Sequence, residues 1–129
     1  MKYIIPMLLL LVCADTYAGH SFDQRAQNAH RLERQSNQSG YQNALHRSLM
    51  PKMRRIMSAC SGEVHGSKPD PFSLVGDITH TSTLINIQVR PADGFSKCFA
   101  NGLANVSMPA LPDNYKGKTY PFTMDFHFH

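Results

Sequence analysis

This chain of 129 residues lacks the short motifs that mark several common enzymes. It has no glycine-rich phosphate loop, no Gly-x-Ser-x-Gly elbow and no CxxC cysteine pair. Those absences argue against phosphate binding by such a loop, against hydrolysis by an activated serine and against thioredoxin-like redox chemistry. We therefore expect a protein that is not an enzyme, with no catalytic residue and no cofactor.

A long hydrophobic run is also missing. The one apolar stretch, residues 4–12, is about half as long as a membrane-spanning helix needs to be. The stretch follows Lys2 and precedes a small-residue site that ends at Ala18, which predicts a cleaved secretory signal peptide over residues 1–18. We therefore expect no stable insertion into a membrane.

Cysteine is scarce, and Cys13 falls within the predicted signal peptide. Cleavage leaves Cys60 and Cys98, and a secreted chain with two cysteines most simply forms one disulfide. Two separate buried thiols are the alternative. Lipidation of Cys13 is a further alternative, although Val12 stands where a lipoprotein signal has a small residue.

The net charge of +4 is unevenly distributed. Residues 21–60 hold seven Lys and Arg against Asp23 and Glu33, whereas residues 61–129 hold five basic and six acidic side chains. The basic half could contact an acidic partner, anionic lipid or cell-wall polymer, or it could be a solvated helix face. Nucleic-acid binding is not expected, because no aromatic residues lie between the basic ones.

The first half of the mature chain carries helical periodicity of two strengths. Residues 19–40 are polar and basic with a weak apolar spacing, which predicts a frayed helix or tether that buries little surface. A stronger apolar stripe runs from Tyr41 to Cys60. Pro51 interrupts this stripe, so it either kinks one long helix or opens a second one.

The second half alternates strand and helix patterns. Apolar residues at every second position predict strands at 72–78, 85–89 and 122–128, the first two forming an antiparallel hairpin. Between the hairpin and the last strand, Asp93 stands at the N-cap position of a short helix that carries Cys98. The order helix, strand, strand, helix, strand predicts a two-layer α+β domain over residues 41–129.

Histidines raise the question of a metal site. His127 and His129 would share one face of the last strand, His80 in the hairpin turn could be a third ligand, and cleavage would leave Gly19-His20 as a copper-binding terminus. The alternative is that these are exposed polar residues. We favour the alternative and assign no metal site, because no cysteine or carboxylate lies at ligand spacing.

Four features in this order resemble the periplasmic C-terminal domain of the TonB/TolA energy-transducer group. They are the apolar helix ending near Cys60, the hairpin FSLVGDI…LINIQVRP, the cysteine-bearing helix FSKCFANGLANVSMPALP and the final strand YPFTMDFHF, within a resemblance that covers residues 41–128. The resemblance implies a non-enzymatic domain in the periplasm of a Gram-negative bacterium. It also implies binding of partner proteins, often by strand pairing at an exposed sheet edge.

The transducers of that group carry an uncleaved membrane anchor and a long spacer, and this chain departs from both. We therefore expect a periplasmic protein-binding module, accessory to an envelope transport or secretion machine, whose partner is an envelope or secreted protein. The alternative is an immunity protein that blocks a periplasm-directed toxin, and a metal-binding protein is a third candidate. Pairing with a second copy of the chain stays open, and no partner-binding residue can be assigned from the sequence.

Overall fold

A computed structural model describes residues 15–115 and 117–129, with side chains from Phe22 onward. The described chain forms, in order, α1 (Asp15–Glu33), α2 (Ser39–Ala59), β1 (Phe72–Ile78), β2 (Leu84–Arg90), α3 (Gly94–Ala104) and β3 (Tyr120–Phe126). This order confirms the predicted α+β class. Residues 1–14 of the predicted signal peptide, Cys13 among them, lie outside the described residues. No helix in the described part is long and apolar enough to cross a membrane.

The three strands form one antiparallel sheet in the order β2-β1-β3. The predicted hairpin is confirmed, since β1 pairs with β2 and Ile78 faces Leu84 across the pair. β1 also pairs with β3, from Phe72 opposite Phe126 to Ile78 opposite Tyr120. Side chains alternate along β1 and define two faces. We call the face of Phe72, Leu74, Gly76 and Ile78 the front, and the face of Ser73, Val75 and Asp77 the back.

The front face is covered by α2 and α3. The apolar stripe of α2 is buried against it, as its helical spacing predicts, and α2 continues through Pro51 as a single helix. Gly102 of α3 allows the two helices a close approach, because a Cβ atom at this position would lie 2.7 Å from a methyl carbon of Ile56. The resulting core contains Leu49, Phe99 and Leu103, each at most 1% exposed.

The start of α3 is fixed by the N-cap that the sequence predicts. The Asp93 carboxylate accepts a 2.8 Å hydrogen bond from the Ser96 amide, and the Ser96 hydroxyl accepts a 2.9 Å bond from the Asp93 amide. This reciprocal arrangement satisfies two backbone donors that a helix would otherwise leave free. It places Phe95 and Phe99 on the front face of the sheet, where both rings contact Phe72.

α1 covers the back face, so the prediction that residues 19–40 bury little surface is wrong. Phe22, Ala29 and Leu32 are 5%, 1% and 6% exposed. The apolar stripe of α1 is short, but it is supplemented by polar contacts. Arg25 donates to the Asn86 carbonyl at 2.6 Å and pairs with the Asp77 carboxylate at 3.3 Å. α1 therefore adds a third layer to the two that the sequence predicts.

Candidate functional site

Cys60 and Cys98 form the predicted disulfide. Cys60 at the end of α2 is bonded to Cys98 of α3, which lies 38 positions later in sequence, and their Cα atoms are 5.8 Å apart. The bond links the two helices of the front layer. Neither sulfur is a free thiol, so neither is available as a nucleophile or a metal ligand.

The structure does not bring the candidate histidines together. His80 is exposed in the hairpin turn beyond Ile78, whereas His127 and His129 are exposed beyond Phe126 at the opposite end of the sheet. A seven-residue strand separates these ends by about 20 Å, too far for one ion. Among residues whose side chains are described, no group of three His, Cys, Asp or Glu could hold a metal. The side chain of His20 lies outside that part.

The strand edge is the surface feature that the resemblance predicted, and the structure has two such edges. β2 is irregular: its pairing with β1 shifts between Val75 and Asp77, and Asn86 has a φ of 53°. Its Asn86 carbonyl already accepts a hydrogen bond from Arg25. Bulges and occupied backbone groups oppose the addition of another strand. The edge formed by β2 is therefore the protected one.

β3 forms the other edge, and one side of its backbone faces away from the sheet. Just past β1, the Thr79 amide bonds the Thr83 carbonyl at 2.8 Å, so odd-numbered residues of β1 bond toward β2. The amides and carbonyls of even-numbered β1 residues then point toward β3. The even-numbered β3 residues opposite them hydrogen-bond to β1 in return. The amide and carbonyl groups of residues 123 and 125 therefore point outward. Pro121 agrees with this assignment, because proline is tolerated where an amide would face solvent.

A groove of about 500 Å³ runs along this open edge, and we call it the edge groove. Ten residues of three elements line it: Glu33 of α1, then Gln42, Asn43, Leu45, His46, Leu49 and Met53 of α2, and Phe122, Thr123 and Met124 of β3. Leu45, Leu49 and Phe122 are buried and form an apolar interior. Asn43 and His46 are exposed and lie at the mouth.

Beside the edge groove, a histidine of α1 lies between two carboxylates. His30 of α1 lies with Nδ1 3.3 Å from a Glu33 oxygen and Nε2 3.4 Å from an Asp125 oxygen. Asp125 also accepts a hydrogen bond from the Ser73 hydroxyl. These contacts connect α1 to β3 along the edge. These contacts use the Asp125 carboxylate, and none of them, among the described residues, uses its backbone amide or carbonyl.

Two tyrosines, Tyr120 buried and Tyr41 partly buried, lie near the end of the edge groove where Gln42 lines it. The Tyr120 hydroxyl donates to the Gln38 side chain at 3.1 Å and accepts from Gln42 at 2.9 Å. Burial raises the pKa of Tyr120, and burial together with charge repulsion from the ionised Tyr120 hydroxyl raises the pKa of Tyr41 to about 12. Both phenols are therefore neutral near pH 7. The end of α2 that adjoins the groove is held by neutral hydrogen bonds.

The arrangement can bind an extended backbone, since outward amides and carbonyls lie beside an apolar groove. Sequence reasoning did not locate the edge groove, because residues 122–124 of β3 lie far along the chain from the α1 and α2 residues that complete it. Pro121 within an otherwise regular strand was the available signal that β3 lies at an edge.

No protein-family model, no curated protein and no solved structure matches this chain.

Proposed function

We propose that this protein is a non-enzymatic binding module of the periplasm that holds a partner protein by adding a strand of the partner to β3. The supporting observation is the regular, outward-facing backbone of β3 beside the edge groove. Main-chain hydrogen bonds would supply affinity, and side chains entering the groove would supply selectivity.

The disulfide supports an oxidising compartment, since such bonds persist in secreted and periplasmic proteins. It also links α2 to α3, which fixes α2 as one wall of the edge groove. A preformed wall reduces the entropy that binding must offset. Within this proposal the protein is an accessory of an envelope transport or secretion machine.

Site-specific photo-crosslinking in the native envelope tests the proposal. A photoreactive amino acid replaces Asn43 at the mouth of the edge groove, and in a second strain it replaces Asn101, which is exposed on α3. We expect one dominant adduct from position 43 and none of that mass from position 101. Mass spectrometry of the adduct then identifies the partner. A secreted toxin would replace the accessory role with that of an immunity protein.

Two variants at one position test the strand pairing itself. Asp125→Pro removes an outward amide from β3, whereas Asp125→Ala removes the same side-chain contacts and keeps the amide. We expect the position-43 adduct to disappear with proline and to persist with alanine. An adduct that persists in the folded proline variant, or the absence of any adduct at position 43, would contradict strand addition.

A further inference from the structure

The exposed side of α2 beside the edge groove has a regular pattern of side chains. Asn43 lines the groove, and positions four, seven, eleven and fourteen residues further on lie along the same helical stripe. These positions hold Arg47, Met50, Arg54 and Met57. Cationic and flexible apolar side chains therefore alternate along one line, which we call the rim stripe.

The rim stripe runs in the same direction as the open edge. Gln42 contacts Tyr120 at the start of β3, and Met53 shares the edge groove with Met124 near the end of that strand. Successive residues of the stripe thus accompany successive residues of β3. A strand added to β3 would lie between them and would turn every second side chain toward the rim stripe.

The cations of the rim stripe are available to a partner. Arg47 and Arg54 are exposed, and within the described part of the chain neither forms an ion pair or a side-chain hydrogen bond. α2 contains no Asp or Glu that could neutralise them. By contrast, Arg25 and Arg90 are paired with carboxylates on the back face. Uncompensated positive charge therefore adjoins the edge groove on its α2 side.

The methionines of the rim stripe supply adaptable apolar surface. Met50 and Met57 are half-buried and pack against the front core. Unbranched methionine side chains adjust to differently shaped partners. An occupant of the groove would therefore meet apolar surface at the level of Met50 and positive charge on either side of it.

Resting on the proposed strand addition, we infer that the segment received by β3 is acidic, with the pattern acidic-x-apolar-x-acidic. Arg47, Met50 and Arg54 are spaced by about 4.5 and 6 Å along α2, at 1.5 Å per residue. Alternate residues of a strand are spaced by about 6.6 Å, and long arginine side chains accommodate the difference. The two acidic residues would meet Arg47 and Arg54, and the apolar residue between them would meet Met50.

Selection from a phage library of random ten-residue peptides tests this inference, with the disulfide-bonded protein as bait. We expect the retained peptides to be enriched in the acidic-x-apolar-x-acidic pattern. Affinities of synthetic copies are then measured by fluorescence anisotropy for the wild type and four variants. Arg54→Gln and its sequence neighbour Arg55→Gln remove the same charge from different sides of α2, which makes Arg55→Gln the matched control. Asp125→Pro and Asp125→Ala report on strand pairing.

The expected result is about fivefold weaker binding by Arg54→Gln, less than twofold change by Arg55→Gln, and loss of binding by Asp125→Pro but not by Asp125→Ala. If peptide binding requires the amide of residue 125 but Arg54→Gln and Arg55→Gln weaken the affinity equally, the acidic preference is wrong and strand addition is still supported. Peptides indifferent to Asp125→Pro, or no enriched peptides, overturn both.

Anionic vesicles provide the remaining comparison, because an exposed basic helix face can also contact lipid headgroups. Sedimentation with phosphatidylglycerol vesicles is measured for wild type, Arg54→Gln and Arg55→Gln. Vesicle binding that both variants weaken equally, with no enriched peptides, would assign the basic face to a membrane surface and overturn the inference. Absence of vesicle binding alongside acidic peptides supports it.

Discussion

The front face of the sheet is covered by two helices through large apolar side chains, whereas the back face is covered by one helix through a narrow apolar stripe and several polar contacts. On the front, Leu74, Phe99 and Leu103 are fully buried, and a disulfide links the covering helices. On the back, Phe22 packs beneath the Arg90 guanidinium, and Arg25 reaches three groups on β1 and β2.

The two layers therefore differ in how much they stabilise the domain and in what they contribute to the edge groove. Apolar burial and a covalent link contribute the larger free energies, whereas partly exposed ion pairs contribute little each. We therefore expect the front layer to carry most of the free energy of unfolding. α1 contributes less, but it places Glu33 in the lining of the edge groove. Substitutions in the front layer should therefore lower the free energy of unfolding more than substitutions in α1.

The largest effect is expected from breaking the covalent link of the front layer. Cys98→Ser removes the closure of a loop whose ends are 38 positions apart in sequence, which should lower the free energy of unfolding by about 4 kcal/mol. Urea unfolding of the periplasmically expressed variant measures this loss, and the Cys60→Ala/Cys98→Ala double variant should lose a similar amount. Unchanged melting, with both thiols reactive in the wild type, would contradict the disulfide.

A slightly smaller loss is expected from a cavity in the same layer. Leu103→Ala deletes a fully buried side chain between α3 and the sheet, which should reduce the free energy of unfolding by about 3 kcal/mol. Ile85→Ala is the control, because that side chain is 40% exposed on β2. Equal losses in the two variants would show that the front face is not the main core.

A still smaller effect is expected on the back face. Arg25→Ala removes the bonds to Asp77, Gln88 and the Asn86 carbonyl, at an expected loss of about 1.5 kcal/mol because the group is partly exposed. Arg31→Ala on the exposed side of α1 should change stability by less than about 0.5 kcal/mol. Hydrogen exchange of α1 should accelerate in the first variant only. A loss as large as that of Leu103→Ala would remove the distinction between the faces.

The sequence predicted those parts of the fold that short-range patterns encode. Alternation identified the strands, three- and four-residue spacing identified α2 and α3, and Asp93 marked the start of α3. The disulfide followed from a count of the cysteines outside the signal peptide that the sequence predicts. In each case the deciding residues are neighbours in sequence or belong to a small set.

Burial of α1 and the location of the edge groove could not be predicted in this way. Apolar spacing in α1 is weak, and its attachment depends on Arg25 finding Asp77, which lies 52 positions later. Strand order decides which edge stays open, and it depends on packing between distant segments. The conformation of the hairpin turn could not be predicted either, because Ser82 rather than Gly or Asn adopts its positive φ of 63°.

The smallest loss of stability is expected from removing a neutral hydrogen bond near the start of α2, where the chain passes from the back layer to the front layer. Tyr41→Phe removes the 3.1 Å bond to the Pro109 carbonyl, which should lower stability at pH 7 by about 1 kcal/mol. The folded-state pKa of Tyr41 is raised from 10 to about 12, so its contribution is complete below pH 10 and is lost as the pH rises through 12. The wild-type advantage over the variant should therefore shrink across that window, because phenylalanine does not ionise. Tyr120 titrates in both proteins, so its effect on stability largely cancels in the difference.

Urea unfolding of the wild type and Tyr41→Phe, at pH 7 and from pH 10 to 12, measures this difference in stability. A difference that stays constant with pH would mean that Tyr41 is as accessible to water in the folded chain as in the unfolded one.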